Sequence, residues 1–485
     1  MTDHGQPAPI DRRAFLGVLV GAFLTACTSE STEPARDTSS TAASAPSTTS
    51  TTTTPPSTAT TVEPLDAPPA DLPPDVFAIG VASGEPDHES VVLWTRLLGD
   101  VPDSLDIVWE LAAHSSMAPL VATGLVTVEA ASAHSVRVIA DGLGSDEHYF
   151  YRFRAGSQAS PTGSTRTLPA AGNSRALTLG ISSCQARTDG AWAAHRDLAE
   201  TDVDLVLWLG DYIYGDHRTL DEQRGAYVEY RSDPLIQACH AAHPWVSFID
   251  DHEVANDFDA SIDPARRGAA LQAWWEHQPT RLPPPTDQGA LAVHRSFELG
   301  GVARLIGLDV RQYADDVSLL GDAQWAFVEQ AAAHDQPNTL IASPVVMSGL
   351  RGLDGDPLVP YSIDARPDER IRMAALMASM PAPVIVSGDL HTSLVADFSA
   401  DPLDEATPSV AVEIMAPAIS SAFPSRFASL APLLPLVNPN VREVDIENGW
   451  LELTLSESGP AAAFHFVDDV TDEASTITVR PISNL

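Results

Sequence analysis

Between about residue 77 and residue 169, large and polar side chains alternate in short runs such as 90–95, Ser135–Ala140 and 149–154. Period-two alternation marks strands with one buried face. About seven such runs, with turn residues between them, predict a small all-β sandwich. After Pro169 the pattern changes to continuous apolar runs at 176–181, 204–209, 245–249, 305–308, 339–342, 383–386 and 410–414. Runs of this kind read as strands buried on both faces, and helical stretches at 191–199 and 322–333 alternate with them. Residues 171–485 are therefore expected to form an α/β domain, with alternation at 449–466 adding antiparallel strands. The spacing of Leu143 and Tyr149 is that of the corner tyrosine of fibronectin- or immunoglobulin-like sandwiches, which assigns that fold to residues 76–170.

Residues 1–75 have neither pattern. Arg12 and Arg13 precede an uncharged apolar stretch from Ala14 to Ala26, whose 13 residues fall short of the roughly 20 that span a bilayer. A short apolar segment behind a basic flank reads as an export signal, here of twin-arginine type. Leu24-Thr25-Ala26-Cys27 resembles a lipobox, predicting acylation of Cys27 and a membrane anchor. Residues 28–75 are rich in Ser, Thr and Pro, with too few bulky apolar side chains to offset the entropy of ordering, so a disordered linker is expected.

The 485 residues carry 66 acidic and 27 basic side chains, a net charge of −39. That surface repels nucleic-acid backbones, and no nucleic-acid binding is expected. Three cysteines occur. With Cys27 acylated, Cys184 and Cys239 remain, either bridged or as separate thiols.

Several apolar runs end in polar clusters, and ligands of open α/β sheets bind at the carboxyl ends of strands. The clusters are Ser182-Ser183-Cys184-Gln185, Gly210-Asp211-Tyr212-Ile213-Tyr214, Asp250-Asp251-His252-Glu253 and Ser387-Gly388-Asp389-Leu390-His391. Carboxylates and phenolate are hard oxygen donors, and imidazole suits iron. So many acids at one sheet edge call for cations. A metal site follows.

These four segments, with Tyr230-Arg231-Ser232-Asp233-Pro234 and Leu308-Asp309-Val310-Arg311-Gln312-Tyr313, resemble PhoD-type alkaline phosphatases. Gly80-Val81-Ala82-Ser83-Gly84 and Leu93-Trp94-Thr95-Arg96 resemble that family's N-terminal domain. The resemblance implies a calcineurin-like metallophosphoesterase fold, a four-layer α/β/β/α sandwich, and a centre of Fe(3+) and Ca(2+). It places Asp211 as the bridging carboxylate, Cys184, Tyr214 and His391 on the ferric ion, and Asp251 and Asp389 on calcium. His252 is then placed as general acid and Arg231 as a clamp on phosphate oxygens. The implied reaction is hydrolysis of small phosphate monoesters, extending to diesters, by attack of metal-bound hydroxide outside the cytoplasm.

The chain departs from the family's pattern at Gly215, where Glu is common, and at Ala314, where Arg is usual. It is also short between residues 354 and 370, where Tyr361 is the remnant of a longer motif. Two alternatives remain open at this stage: a phosphodiesterase dedicated to wall polymers or phospholipids, and a non-catalytic surface lipoprotein with a structural metal. Oligomeric state is not legible; a monomer is compatible.

Overall fold

The computed structural model describes residues 62–485 apart from 215–217, 353–354, 405, 426–427, 430 and 484. The export signal, the lipobox and most of the linker lie outside the described residues, as does Gly215.

Two sheets lie face to face. The first has nine strands, in the order Ile477–Pro481, Gly459–Val467, Gly449–Ser456, Leu177–Ser182, Leu205–Trp208, Pro244–Ser247, Val81–Gly84, Val91–Arg96 and Ser135–Ala140. The second has seven, in the order Arg295–Leu299, Ala303–Gly307, Asn338–Ala342, Pro383–Ser387, Ala411–Met415, Ser393–Phe398 and Val441–Asp445. Between them lies a dry apolar layer in which Leu179, Ile181, Leu207 and Phe248 meet Leu305, Leu340, Val386 and Ile414. Their outer faces are covered by helices. Ala193–Glu200, Leu220–Arg231, Pro234–Ala242 and Pro264–His277 pack on the first sheet, and Gly321–Ala331 and Pro367–Met377 on the second. Each central strand is thus buried on both sides, which is why its sequence is continuously apolar rather than alternating. The result is the expected four-layer α/β/β/α sandwich.

Alternation in residues 76–170 produces strands, and they divide between two sheets. Ser104–Ala112, Leu120–Glu129, His148–Ala155, Gln158–Ala159 and Gly163–Arg166 form a separate five-stranded sheet. Val81–Gly84 instead pairs in parallel with Pro244–Ser247, so three N-terminal strands prolong the nine-stranded sheet. Hydrogen bonding is therefore continuous across residue 170. The hydroxyl of Tyr149 accepts the N–H of Gly144 at 2.8 Å, the hydrogen bond of a tyrosine corner.

Strands Leu177–Ser182, Leu205–Trp208 and Pro244–Ser247 run parallel as neighbours. Ala303–Gly307, Asn338–Ala342, Pro383–Ser387 and Ala411–Met415 do the same in the second sheet. The carboxyl ends of each set therefore emerge together, and the four polar clusters follow these ends.

Candidate metal centre

Two glycines allow the strand ends to meet. A Cβ on Gly210, at φ +115°, would lie 2.4 Å from the Asp250 nitrogen. One on Gly388 would lie 2.4 Å from the Ser183 hydroxyl, a contact between the first sheet and the second. Only a residue without a side chain permits either approach. The residues around these glycines are strained. Cys184, Asp211, Asp389 and His391 have φ of 56°, 57°, 74° and 53°, a left-handed region costly for side-chain-bearing residues.

The loops bring together three overlapping donor groups: Cys184, Asp211 and His391; Asp211, Asp251 and His252; and Asp250, Asp251 and Asp389. Within each group one donor atom per residue lies within 4.8 Å of the others. Asp211 belongs to two of them. Its Oδ2 accepts from the Tyr214 hydroxyl at 3.0 Å and faces Cys184 Sγ at 3.5 Å, while Oδ1 accepts the His252 N–H at 3.1 Å. His391 Nδ1 lies 3.0 Å from the Ala422 carbonyl and donates to it, which leaves Nε2 as the lone-pair nitrogen. That nitrogen faces the Tyr214 hydroxyl at 3.3 Å. The His252 ring packs on the Tyr214 ring with centroids 4.2 Å apart. Seven of the eight sequence-derived site residues therefore gather at one place.

Arg231 does not join them. It is 1% exposed, with its guanidinium 4.3 Å from the centre of the Trp94 ring and 5.4 Å from that of Tyr212. The assignment as a phosphate clamp is corrected: an arginine buried among aromatic rings on the helix side of the first sheet cannot meet a substrate arriving from solvent. The helix Leu220–Arg231 turns its last residue inward, which its modest amphipathic pattern does not reveal. Cys239 is likewise in the helix-side core, and both described cysteines are free thiols.

Four contributors carried no assigned role in the sequence. Glu253 accepts the backbone N–H groups of Tyr212 at 2.7 Å, Asp250 at 2.9 Å and Asp211 at 3.0 Å, tying two loops together. Arg311, 1% exposed, bonds Asp250 Oδ1 at 2.6 Å and Asp389 Oδ1 at 3.1 Å and lies 3.7 Å from Asp251. Ser421 donates to the Tyr214 hydroxyl at 3.0 Å. Tyr361 donates to Asp389 Oδ2 at 3.1 Å. The position of Arg311 in the Leu308–Tyr313 motif was the one signal available for it. Nothing marks Ser421.

The electrostatics call for cations. Burial, then Asp251 and Asp250, push the Asp211 carboxyl well above the ordinary 3.8. Burial and Asp250 push Asp389 well up despite Arg311, and burial raises Asp250 to about 6. Asp251 runs the other way: burial would raise it, but Arg311 and His252 outweigh burial and lower it. The Cys184 thiol and the Tyr214 phenol are both driven up by burial and then by Asp211. Asp251 Oδ1 and Asp250 Oδ2 are buried without a partner, an arrangement that costs free energy unless a cation faces them. The donors fit two unlike ions, with thiol, phenol and imidazole on one side and carboxylates on the other.

A consequence concerns metal removal. A carboxyl whose folded pKa exceeds its unfolded value binds extra protons in the folded state, so stability falls as pH rises through that window. With Asp250 raised from 3.8 to about 6 and Asp211 and Asp389 raised well above 3.8, returning divalent and ferric ions to chelator-treated protein should raise the melting temperature more at pH 8 than at pH 5, a comparison in which buried neutral His195, His240 and His277 cancel. A metal-induced gain no larger at pH 8 than at pH 5 would contradict this account.

Similarity to known proteins converges on one family. The family described as PhoD-like phosphatase matches residues 179–448, and its N-terminal domain matches residues 63–169. Alkaline phosphatase D of Bacillus subtilis (strain 168) is 31% identical over 467 residues, covering 83% of this chain and 80% of that protein. A solved structure of PhoD superposes with a TM-score of 0.80 at 28% identity, covering 86% of this chain and 94% of the other. The purple acid phosphatase PPD1 of yellow lupin shares the fold, with a TM-score of 0.57 at 13% identity over 82% of this chain and 73% of that one.

Proposed function

The chain belongs to the PhoD-like phosphatase family and is a metal-dependent phosphoric ester hydrolase, and on that premise we propose that it cleaves small phosphate monoesters and diesters at the cluster around Asp211. The observation that carries this reading is the shared position of Asp211 between two unlike donor groups. Cys184, Tyr214 and His391 would hold a ferric ion, Asp251 and Asp389 a calcium ion, and Asp211 both. Bound there, such ions lower the pKa of water and polarise the phosphoryl oxygen.

The remaining work falls to the chain's own residues. Glu253 keeps the loops of Asp211 and Asp250 in register, and Arg311 neutralises part of the acid charge where Asp250 meets Asp389. His252 is held by its backbone bond to Asp211 and by the tilted packing of its ring on Tyr214, with Nδ1 making no hydrogen bond. It would protonate the departing alkoxide as general acid. A purely structural metal site has no use for such a group, which favours the enzyme over the non-catalytic alternative.

Assays of metal-replete protein on p-nitrophenyl phosphate and its bis-ester test the reading, and inactivity on both would refute it. His252→Gln is expected to lower turnover by about 10²- to 10⁴-fold on esters of poor leaving groups. The loss should be much smaller on p-nitrophenyl esters, whose leaving group needs no proton. Equal losses on both classes would remove His252 from that role. Export through the Arg12-Arg13 signal and anchoring through acylated Cys27 complete the proposal. Among the described residues no helix is long and apolar enough to cross a membrane.

A further inference from the structure

Both carboxylate oxygens of Asp389 are engaged by protein donors. Oδ1 accepts from Arg311 and Oδ2 from the Tyr361 hydroxyl, each at 3.1 Å. The two donors also touch, with the Arg311 guanidinium carbon 4.6 Å from the centre of the Tyr361 ring. Tyr361 belongs to residues 355–366, which cross the second sheet's end of the cluster. That segment is pinned from behind. Leu358, Val359 and Ile363 enter the helix-side core, and Asp364 sits between Arg351 at 2.9 Å and Arg370 at 3.0 Å. The Arg366 guanidinium adds a bond to the Ser362 carbonyl at 3.0 Å. The tyrosine is thus a half-buried tip on a firm base, in contact with one candidate cation ligand.

We propose that Tyr361 is a positioning residue that sets the affinity for the cation held by Asp389 and couples residues 355–366 to its occupancy. The proposal rests on Asp389 being a cation ligand. An oxygen of a carboxylate has two lone-pair directions, so Oδ2 can keep the phenol hydrogen bond while facing an ion. Kept, that bond fixes the plane of the carboxylate before the ion arrives. Outer partners of ligating carboxylates change metal affinity by about 10- to 100-fold when removed. Arg311 alone would leave Asp389 free to swing about its bonded oxygen. Coupling is reciprocal: if the segment aids the cation, the cation steadies the segment by the same free energy.

The test uses iron-loaded protein titrated with calcium. Tyr361→Phe should weaken calcium binding about tenfold or more by calorimetry. Its visible tyrosinate band, reporting the Tyr214 side, should match the unmodified protein, and its deficit in melting temperature should be larger with calcium present than without it. Calcium should slow hydrogen exchange of residues 355–366 in the unmodified protein and much less in the variant. Equal or tighter calcium binding by Tyr361→Phe overturns the proposal, and so does a segment whose exchange ignores calcium. Asp389→Asn separates the two levels of inference. If it binds calcium as the unmodified protein does, the ligand assignment itself has failed. If it loses calcium while Tyr361→Phe binds normally, only the role of Tyr361 has failed.

Discussion

Asp211→Asn should abolish turnover to within the limit of detection, a fall of at least about 10³-fold, or about 4 kcal/mol of transition-state stabilisation. The reason lies in its two oxygens. Oδ2 faces the thiol of Cys184 and the phenol of Tyr214, and Oδ1 turns to the loop of Asp251 and His252. An amide has the same shape but only one oxygen, carries no charge and turns an N–H₂ toward one side. One of the two ions proposed to share Asp211 would then lose its ligand. Because the side chain is isosteric and the loops are held by Glu253, the fold should survive, and far-ultraviolet circular dichroism should be unchanged. Mass-spectrometric metal content is the check, with loss of at least one ion equivalent expected. A variant that kept full metal content and activity would place the reaction elsewhere in the molecule.

The second large effect is on stability, at a residue that need touch no ion. Glu253, 0% exposed, gathers the N–H groups of Asp211, Tyr212 and Asp250 on one carboxylate. Hydrogen bonds to a charged group contribute about 1.5–3 kcal/mol each, and a buried donor left without a partner costs about as much. Glu253→Gln keeps one acceptor oxygen and points an N–H₂ at backbone donors. With the amide oxygen turned to the Oε2 position, which serves Asp211 and Asp250, the Tyr212 N–H loses its acceptor and meets an N–H₂ instead. The expected loss is about 3 kcal/mol or more in urea denaturation, with metal content falling alongside, because Asp211 and Asp251 are then no longer held face to face. Glu253→Asp should not rescue it, as the carboxylate would be one methylene too short. A change under about 0.5 kcal/mol with full metal content would show that the loops are fixed by other means.

Much of the centre was legible because chemistry and position coincide in the sequence. Cys184, Asp211, Asp251 and Asp389 each stand just past an apolar run, and parallel strands must present such positions at one edge. Tyr214 and His391 are close enough in sequence to Asp211 and Asp389 to share their loops. Arg231 misled for the complementary reason. Its type suits phosphate, and it ends a helix of modest amphipathic pattern, so the direction of its side chain depends on Trp94 and Tyr212, which are distant in sequence. Ser421 contributes a hydroxyl from a segment without a pattern, and Tyr361 one from the shortened remnant of a motif.

The chain's alternation and apolar runs determined by themselves that strands fill residues 76–170 and that continuously apolar strands follow; Val91–Arg96, read as half-buried, is instead buried on both faces because it lies inside the nine-stranded sheet. The polar clusters determined that metal-type donors gather at the strand ends. Those are local properties, carried by the period of burial and by the chemistry of donor atoms. Only the tertiary structure decided that three N-terminal strands join the nine-stranded sheet, because the edge of Pro244–Ser247 must find a partner and Val81–Gly84 supplies it. Only the tertiary structure decided that Arg311 and Tyr361 share Asp389 and that Arg231 is withdrawn from the site. Contacts between residues far apart in sequence leave no periodic trace along the chain, and they exist only once both sheets have packed.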